Sequence, residues 1–428
     1  MQGCFGGDKA GWTVVEIGTL VRDARAALST YAPADRAARI FWLLGPFILL
    51  IERSPADIWV SVLALWFVGR SIARRDGAWL RVFWVRAAFL FWGVCLLSAA
   101  LSPLPAYSLG ETFAWFRFPL FAMASVFWLG TDRRMVYAML ISMALGMLCM
   151  CGILLAEIVI VGAQKGRLTW PYGDMVPGNY LAKVGLAPFV VSVSLALSVR
   201  NRLAAALAAF VLGTIYFSVL TGERINLLIR VCSGALAMFS WRPRPLRLVL
   251  VIGAVLACVT SVLVLQPNIK ARYIDAFATQ IPIHAESPYY KVMATGVLAF
   301  EHSPVLGVGP GNLRKLCPDL AGDSPKYACN THPHNFYIQM AGEAGAIGLF
   351  AGVIFLGSIV WACAAPAVRN RKNVVVATMW IVPFGLLWPI ASTADFFGQW
   401  NNIFMWSAIA VALAGARIGS NDEVAPKG

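Results

Sequence analysis

The stretch THPHNFYIQMAGEAGAIGL, residues Thr331 to Leu349, joins a polar loop to an apolar segment that continues to about Cys363. Two histidines flank a proline at its start, and three glycines follow at intervals of three residues in its apolar part. This pattern predicts one continuous membrane span with titratable side chains where the chain enters it. Ionisable groups in such positions commonly serve function in membrane proteins.

The composition also favours a membrane protein. Of 428 residues, 59% are hydrophobic and 13% are charged, and apolar runs long enough to cross about 30 Å of hydrocarbon recur along the chain. The net charge of +14 is spread over short loops between these runs, which is typical of topology signals and excludes a nucleic-acid-binding domain. We therefore expect an all-α polytopic protein whose partner is the lipid bilayer.

Twelve apolar runs are candidate transmembrane helices, of which the first is short for a full crossing. They are Ile40–Ile51, Ile58–Ile72, Phe83–Leu101, Thr112–Leu129, Met135–Val161, Tyr180–Val199, Leu203–Leu220, Ile225–Trp241, Leu246–Leu265, Asn335–Cys363, Val374–Ala391 and Ile403–Ala416. The expected divisions are a cytoplasmic segment (1–39), nine spans (40–265), a periplasmic loop (266–334), three spans (335–416) and a cytoplasmic tail (417–428).

The orientation follows from Arg and Lys in the predicted loops. Every second loop is rich in these residues, in phase through all twelve spans, and cytoplasmic loops carry that excess. Both termini are therefore expected in the cytoplasm and loop 266–334 outside, which in a Gram-negative bacterium is the periplasmic side of the inner membrane. A loop of this length is expected to be functional. Its two cysteines, Cys317 and Cys329, are a candidate disulfide in an oxidising compartment.

His334 is the candidate general base. The chain has four histidines, all in or beside the long loop: His284, His302, His332 and His334. His334 lies at the start of a predicted helix, where the helix dipole disfavours imidazolium and leaves the neutral ring that a base requires. The alternative is a histidine that caps the span or bonds a neighbouring carbonyl. His332 lies further from the helix start and is the weaker candidate.

Several cations are expected at the same membrane face. Arg224 lies in the tight turn TGERIN, Thr221–Asn226, where it either snorkels, pairs with Glu223 or binds phosphate. Arg117 and Lys183 are similar cases, and their convergence would indicate an anionic lipid headgroup. Arg230 lies deeper in its helix and requires a buried partner. Trp400, in the last outer loop, is either an interface anchor or a platform for a sugar.

The chain lacks several signatures of cofactor and metal chemistry. No P-loop or dinucleotide fingerprint is present, and the outer segments carry no Asp-x-Asp pair of the kind that holds a divalent metal for a sugar diphosphate. We therefore expect no cofactor and no metal, with cationic side chains replacing the metal.

These residues together resemble the O-antigen ligase superfamily. The pattern is His334-Asn335-x-x-Ile338 followed by Gly342-Glu343-x-Gly345-x-x-Gly348-Leu349, preceded by EHSPVLGVG (residues 301–309) and by the turn Thr221–Arg224. The resemblance implies a glycosyltransferase with a GT-C-like membrane fold. It implies transfer of a glycan from undecaprenyl pyrophosphate to a sugar of lipid A–core, metal-independent and inverting. By the same resemblance His334 would be the base, and Arg224 would bind the pyrophosphate.

One family feature has no direct counterpart. The family usually has an arginine just ahead of the loop helix, where this chain reads Glu286 to Lys291. Lys291 as a point charge, or Arg272 from earlier in the loop, could fill that role, so both are candidates for binding substrate.

Three other functions stay open at this point. An O-antigen polymerase and a protein O-oligosaccharyltransferase belong to the same superfamily and differ in acceptor. A transporter of the lipid-linked glycan would explain the outer cations. It would give His334 no role, and it predicts charged span interiors and inverted repeats, whereas the spans are nearly free of charge apart from Arg230 and show no repeat.

Overall fold

The computed structural model describes residues 14–162, 167–174, 176–198, 202–240, 245–390 and 393–421, and all regular structure within these ranges is helical. The predicted span ends Val199, Trp241 and Ala391 lie outside the described residues, as do residues 1–13 and 422–428. The helices are Val14–Thr30, Pro33–Leu43, Gly45–Ile48, Arg53–Ala73, Ala78–Arg81, Phe83–Ala100, Pro105–Trp115, Arg117–Ala124, Ser125–Leu129, Arg133–Ile160, Val176–Asn179, Tyr180–Val184, Leu186–Ser198, Arg202–Leu220, Arg224–Ser240, Pro245–Leu265, Pro267–Lys270, Ala271–Asp275, Ala276–Gln280, Pro288–His302, Leu313–Ala321, Phe336–Arg369, Val374–Thr378, Ile381–Leu386 and Gln399–Asn421.

The all-helical, polytopic class is confirmed, but the count of twelve spans is not. Among the described residues, eight helices are long and apolar enough to cross a membrane, and a bent pair makes a ninth. Three predicted spans fall short. The run 40–51 is divided where Gly45 and Pro46 begin a separate four-residue helix, and 225–241 corresponds to a 17-residue helix that carries two arginines. The run 374–391 ends its helix at Leu386.

The last helix lies in the middle of the bundle. Its segment Gln399–Ile418 is almost entirely buried, whereas Leu246–Leu265 is almost entirely exposed and lies at the edge. Around the central helix, Phe91 and Trp115 pack with ring centroids 5.5 Å apart, and Phe355 and Trp406 with centroids 5.9 Å apart. This aromatic layer supports Phe396, whose ring lies 5.3 Å from that of Trp115. The last outer loop therefore rests on a rigid base.

The helix Phe336–Arg369, called the long helix below, is interrupted at Gly345, where φ is 68° and ψ is −171°. This backbone conformation is accessible essentially only to glycine. The loop HSPVLGVGPGN, called the docking loop (residues 302–312), packs against the interruption. The backbone N–H of Ala346 donates to the Pro304 carbonyl at 2.8 Å, and the N–H of Val308 donates to the Gly342 carbonyl at 3.0 Å. The predicted span 335–363 is confirmed as a candidate membrane helix, and the break in its helical backbone at Gly345 was not predicted.

A second membrane helix is bent by 55° between Val176–Val184 and Leu186–Ser198, and these two segments are called the bent helix below. Its bend contains Gly185 and lies just before Pro188, which has no N–H for the preceding turn. Arg230 provides hydrogen bonds there: its Nη1 donates to the Leu181 carbonyl at 2.6 Å and its Nη2 to Thr214 Oγ1 at 2.6 Å. This is the buried partner that Arg230 required.

The long loop contains two well-formed helices. Pro288–His302, the loop helix, packs against the long helix. Leu313–Ala321 follows the docking loop and carries Cys317. A disulfide joins Cys317 to Cys329, with 5.6 Å between the Cα atoms. It closes the polar excursion that leads back to His332.

Candidate active site

His334 lies immediately before the long helix in a conformation unusual for its residue type. Its φ is 56°, in the left-handed region that side chains other than glycine rarely adopt. Two neighbouring contacts hold this conformation. The Thr393 N–H donates to the His334 carbonyl at 2.8 Å, and Asn335 caps the helix by accepting from the N–H groups of Tyr337 and Ile338 at 3.0 and 3.1 Å. These backbone contacts therefore fix the position of His334 at the start of the long helix.

The His334 ring lies between two other rings. Its centroid is 4.4 Å from that of His332 and 5.4 Å from that of Tyr289 on the loop helix. Burial lowers the pKa of His334 below its ordinary value. Burial and the neighbouring His334 lower the pKa of His332 to about 3. Both imidazoles are therefore neutral near pH 7, and a neutral ring can accept a proton.

The turn Thr221–Arg224, called the outer turn below, packs tightly against three neighbouring segments. A Cβ at Gly178 would lie 2.6 Å from Glu223 Cγ, and one at Gly222 would lie 3.0 Å from Arg272 Cδ. Gly222 also has a φ of 70°. Glycine at both positions therefore allows the bent helix and the loop to approach the turn closely.

Four cations surround Glu223 in this turn. Arg167 Nη1 lies 3.1 Å from its carboxylate. Burial raises the pKa of the Glu223 carboxyl, whereas the charges of four nearby side chains lower it: Arg167, Arg272, Lys183 and Arg224. Three of these, Arg224, Arg272 and Lys183, are candidates predicted from the sequence. We call the four side chains the cation cluster.

Arg224 and Arg272 are held by different partners. Arg272 Nε donates to the Gly222 carbonyl at 2.7 Å. Arg224 donates through Nη2 to Gln280 Oε1 and lies 5.7 Å from the centre of the Phe277 ring. Among the described residues, the buried Nη1 of Arg224 has no hydrogen-bond partner, and neither has the buried hydroxyl of Tyr273. The cluster therefore retains donors for a further acceptor.

Arg167 was missed as a site residue because it lies in a short connection that reads as an ordinary loop. The buried carboxylate of Glu157 fixes this connection by accepting hydrogen bonds from the N–H groups of Thr169 and Trp170, both at 2.9 Å. The Leu168 N–H donates to the Leu220 carbonyl at 3.0 Å. An acidic residue within the apolar run 135–161 was the available signal, since a buried carboxylate requires donors.

Lys183 connects the cation cluster to the histidines. It lies on the bent helix, is buried and donates to the side-chain carbonyl of Asn401 near the start of the last helix. Its charge acts on the carboxylate of Glu223 and also on the ring of His332. Contacts thus bring Arg224 and Arg272 together at the outer turn, and His332 and His334 together before the long helix.

The other three candidates have partners of their own. Arg117 Nη2 lies 2.6 Å from Asp57 Oδ1. Lys291 lies 3.1 Å from the exposed Glu286, on the same loop helix as Tyr289. The Trp400 ring centroid lies 5.8 Å from that of Tyr172 and 5.6 Å from the guanidinium of Arg53. Their roles in substrate binding stay predictions.

A polar network beneath His334 was also missed. Gln339 Nε2 donates to Asp395 Oδ1 at 2.6 Å, and Gln339 Oε1 accepts from the Phe396 N–H at 2.8 Å. Glu343 Oε1 accepts from the Leu313 N–H at 3.2 Å, and Asp395 pairs with Arg314. The network ties the long helix, the helix that follows the docking loop and the last outer loop together. Glu343 within an apolar segment and Asp395 in the last outer loop were its signals in the sequence.

Comparison with known proteins gives one family. The family model described as O-antigen ligase matches residues 205–353, a region that contains Arg224, Arg272, the docking loop and His334. No curated protein matches the sequence. A chain from a solved structure, "Structural coordination of polymerization and crosslinking by a peptidoglycan synthase complex", is similar with a TM-score of 0.45 and 14% identity, over 78% of this chain and 97% of that one. At those values the likeness assigns neither fold family nor activity. Over residues 205–353 the chain is therefore similar to the O-antigen ligase family, the family that its sequence motifs resemble.

Proposed function

We propose that the protein is an O-antigen ligase, a glycosyltransferase of lipopolysaccharide biosynthesis that moves a glycan from undecaprenyl pyrophosphate to a sugar hydroxyl of lipid A–core. The observation that carries this proposal is a pair of neutral histidines, with ring centroids 4.4 Å apart, in a chain whose outer turn holds a cation cluster. A hydroxyl acceptor requires a base, and a pyrophosphate leaving group requires positive charge.

The proposed mechanism is a single displacement. His334 takes the proton of the acceptor hydroxyl, and the hydroxyl oxygen attacks the anomeric carbon. The bond between that carbon and the pyrophosphate oxygen breaks, which inverts the anomeric centre. Arg224 and Arg272 stabilise the charge that develops on the departing pyrophosphate. In this scheme Arg272 fills the second cationic role, because Lys291 pairs with Glu286 whereas Arg272 contacts the outer turn.

The location follows from the same proposal. The site would face the periplasm from the bacterial inner membrane, with both termini in the cytoplasm and the long loop outside. The GT-C-like architecture, the twelve crossings and the division at residues 39, 265, 334 and 416 belong to this proposal. Short helices such as Gly45–Ile48 and Ile381–Leu386 would complete crossings that they do not span alone.

Acceptor choice separates the ligase from its alternatives. Purified protein in detergent is given an undecaprenyl-pyrophosphate-linked glycan and lipid A–core with excess EDTA. A ligase shifts lipid A–core to higher mass, whereas longer lipid-linked chains would indicate a polymerase. Transfer only to a protein acceptor would indicate an O-oligosaccharyltransferase. Movement of the lipid-linked glycan across a membrane without transfer to an acceptor would indicate a transporter. Loss of the shift in EDTA would overturn metal independence.

Arg224→Ala tests the phosphate role in the same assay. We expect it to raise the donor concentration needed for half-maximal rate more than the acceptor concentration, because the cation contacts the donor alone. An unchanged donor requirement would remove Arg224 from the pyrophosphate site.

A further inference from the structure

The outer turn places a carboxylate in the middle of the cations proposed to bind phosphate. The Glu223 side chain is 13% exposed and lies 3.1 Å from Arg167. Its backbone is fixed as well, because Gly178 leaves room for its Cβ and Gly222 leaves room for Arg272 beside it. Glu223 therefore pairs with Arg167 and lies next to Arg272, in the turn that also carries Arg224.

The same cluster has more hydrogen-bond donors than Glu223 uses. Among the described residues, Arg224 Nη1 and the Tyr273 hydroxyl are buried without acceptors. Tyr273 follows Arg272 in the chain, and the charge of Glu223 adds to the effect of burial in raising the pKa of its hydroxyl, while Arg272 and Arg224 oppose it. Buried donors without partners are costly, and phosphate oxygens would satisfy them. The cluster therefore has positive charges and hydrogen-bond donors that Glu223 does not use, and a second anion would contact them.

We propose that Glu223 is a built-in competitor for the anion of the substrate. Its carboxylate neutralises part of the cluster while the site is empty, and it gives up Arg167 when a pyrophosphate binds. The cost of displacing it lowers the affinity for every anion by a similar factor. This inference rests on the proposed function, which assigns the cluster to the donor pyrophosphate.

The competition has a use in a membrane that contains anionic phospholipids. A phosphodiester headgroup carries about one negative charge and a pyrophosphate about two, so the pyrophosphate can engage more arginines. Lipid headgroups are present in large excess over the lipid-linked glycan. A fixed cost would leave the abundant headgroup mostly unbound while the pyrophosphate still binds, and it would also help release undecaprenyl pyrophosphate after transfer.

The first test measures the unfolding temperature in detergent as inorganic pyrophosphate is added, for the wild type and for Glu223→Gln. Glu301→Gln, the same change at an exposed position of the loop helix, is the control. We expect Glu223→Gln to be less stable without pyrophosphate and to reach half-maximal stabilisation at about tenfold lower pyrophosphate than the wild type. An equal or higher midpoint would overturn the competitor role. Absence of stabilisation in wild type would instead overturn the phosphate site itself.

Glu223→Gln removes the negative charge among the four side chains of the cation cluster, and this loss could prevent folding. A second pair of variants covers that case. Arg167→Gln removes the ion-pair partner, and the double variant Arg167→Gln/Glu223→Gln restores the net charge of the wild type. The double variant should bind pyrophosphate about tenfold more tightly than Arg167→Gln. Equal binding by the two would contradict the proposal.

The lipid arm uses nanodiscs with increasing phosphatidylglycerol in a zwitterionic background, with glycan transfer as the readout. We expect the rate of the wild type and of Glu301→Gln to change little, and that of Glu223→Gln to fall severalfold as phosphatidylglycerol rises. Parallel curves for all three would show that Glu223 does not exclude headgroups.

Discussion

The bent helix and the long helix are both interrupted inside the bundle, but their interruptions are repaired in opposite ways. At the bent helix a side chain supplies the missing donor, because Arg230 donates to the Leu181 carbonyl. At the long helix the backbone of another segment supplies the missing acceptors, because docking-loop carbonyls accept from Ala346 and Ile347. A bilayer tolerates such breaks only where protein satisfies the freed groups.

The difference explains what each break contributes to the site. The bent helix carries Lys183 at a buried position, and the bend beside it is held by the side chain of Arg230. The long helix is locked to its loop by several backbone contacts, so His334 at its start, Tyr289 on the loop helix and the docking loop form one unit. The bent helix should therefore depend on the single side chain of Arg230. The junction between the long helix and the docking loop should depend on the backbone conformation of Gly345.

Among changes at the two helix breaks, Arg230→Met should have the largest effect on transfer. It leaves the Leu181 carbonyl and Thr214 without their donor, and the relaxed bend should misplace Lys183. A displacement of about 1 Å can cost about a hundredfold in rate, and we expect a loss of that size in the ligation assay. Arg230→Lys, which keeps a donor, should recover part of it. Full activity of Arg230→Met would show that the bend does not depend on Arg230.

Gly345→Ala should destabilise the long helix at its junction with the docking loop. The added Cβ would meet the Val305 carbonyl oxygen at 2.2 Å, in a backbone region that alanine avoids. We expect a cost of about 1–3 kcal/mol in the free energy of unfolding, measured by denaturation in detergent. Gly357→Ala in the same helix, where a Cβ meets nothing within 4 Å, is the control. Equal stability of the two variants would contradict the docking account.

The folded protein should lose stability in acid through His332. Its pKa falls from 6.5 to about 3 on folding, with burial as the main cause. The unfolded chain therefore binds a proton between these values and the folded chain does not, so stability falls as the pH drops from about 6.5 toward 3. At pH 5 the contribution is about 1–2 kcal/mol. Unfolding of His332→Gln should depend less on pH over that interval. Identical pH profiles for the variant and the wild type would remove His332 as the source.

Thr214→Val should have the smallest effect of the four. It removes one of the two acceptors of Arg230 and retains the bond to Leu181. A cost of about 1 kcal/mol in unfolding free energy is expected, with transfer reduced less than in Arg230→Met. A loss equal to that of Arg230→Met would mean that the hydroxyl, not the carbonyl, is the contact that matters.

These contrasts also show what the sequence could predict. An arginine in an apolar run requires buried hydrogen-bond acceptors. The sequence therefore predicts that Arg230 has such a partner, but it does not predict that the partner is the Leu181 carbonyl. The glycines after His334 gave no comparable signal, because small residues in a span also serve ordinary helix packing. The break at Gly345 depends on backbone hydrogen bonds to the docking loop, some 40 residues earlier in the chain. A hydropathy pattern does not predict contacts between segments so far apart.

The candidate site divides in the same way. Residue chemistry identified His334, Arg224 and Lys183, since charged or titratable groups are rare in this chain. Arg167 was indistinguishable from a topology signal, and its place beside Glu223 depends on the hydrogen bonds of Glu157. The count of twelve spans was not confirmed, because a run such as 40–51 has the composition of a membrane helix while Gly45 and Pro46 divide it.

The most direct test of the account is glycan transfer to lipid A–core by His334→Ala, measured with excess EDTA beside His302→Ala, a change to an exposed histidine of the same loop. We predict that His334→Ala loses transfer by at least about a hundredfold while its pyrophosphate-dependent stabilisation is retained, and that His302→Ala matches the wild type. Normal transfer by His334→Ala would contradict the central claim that this ring is the base.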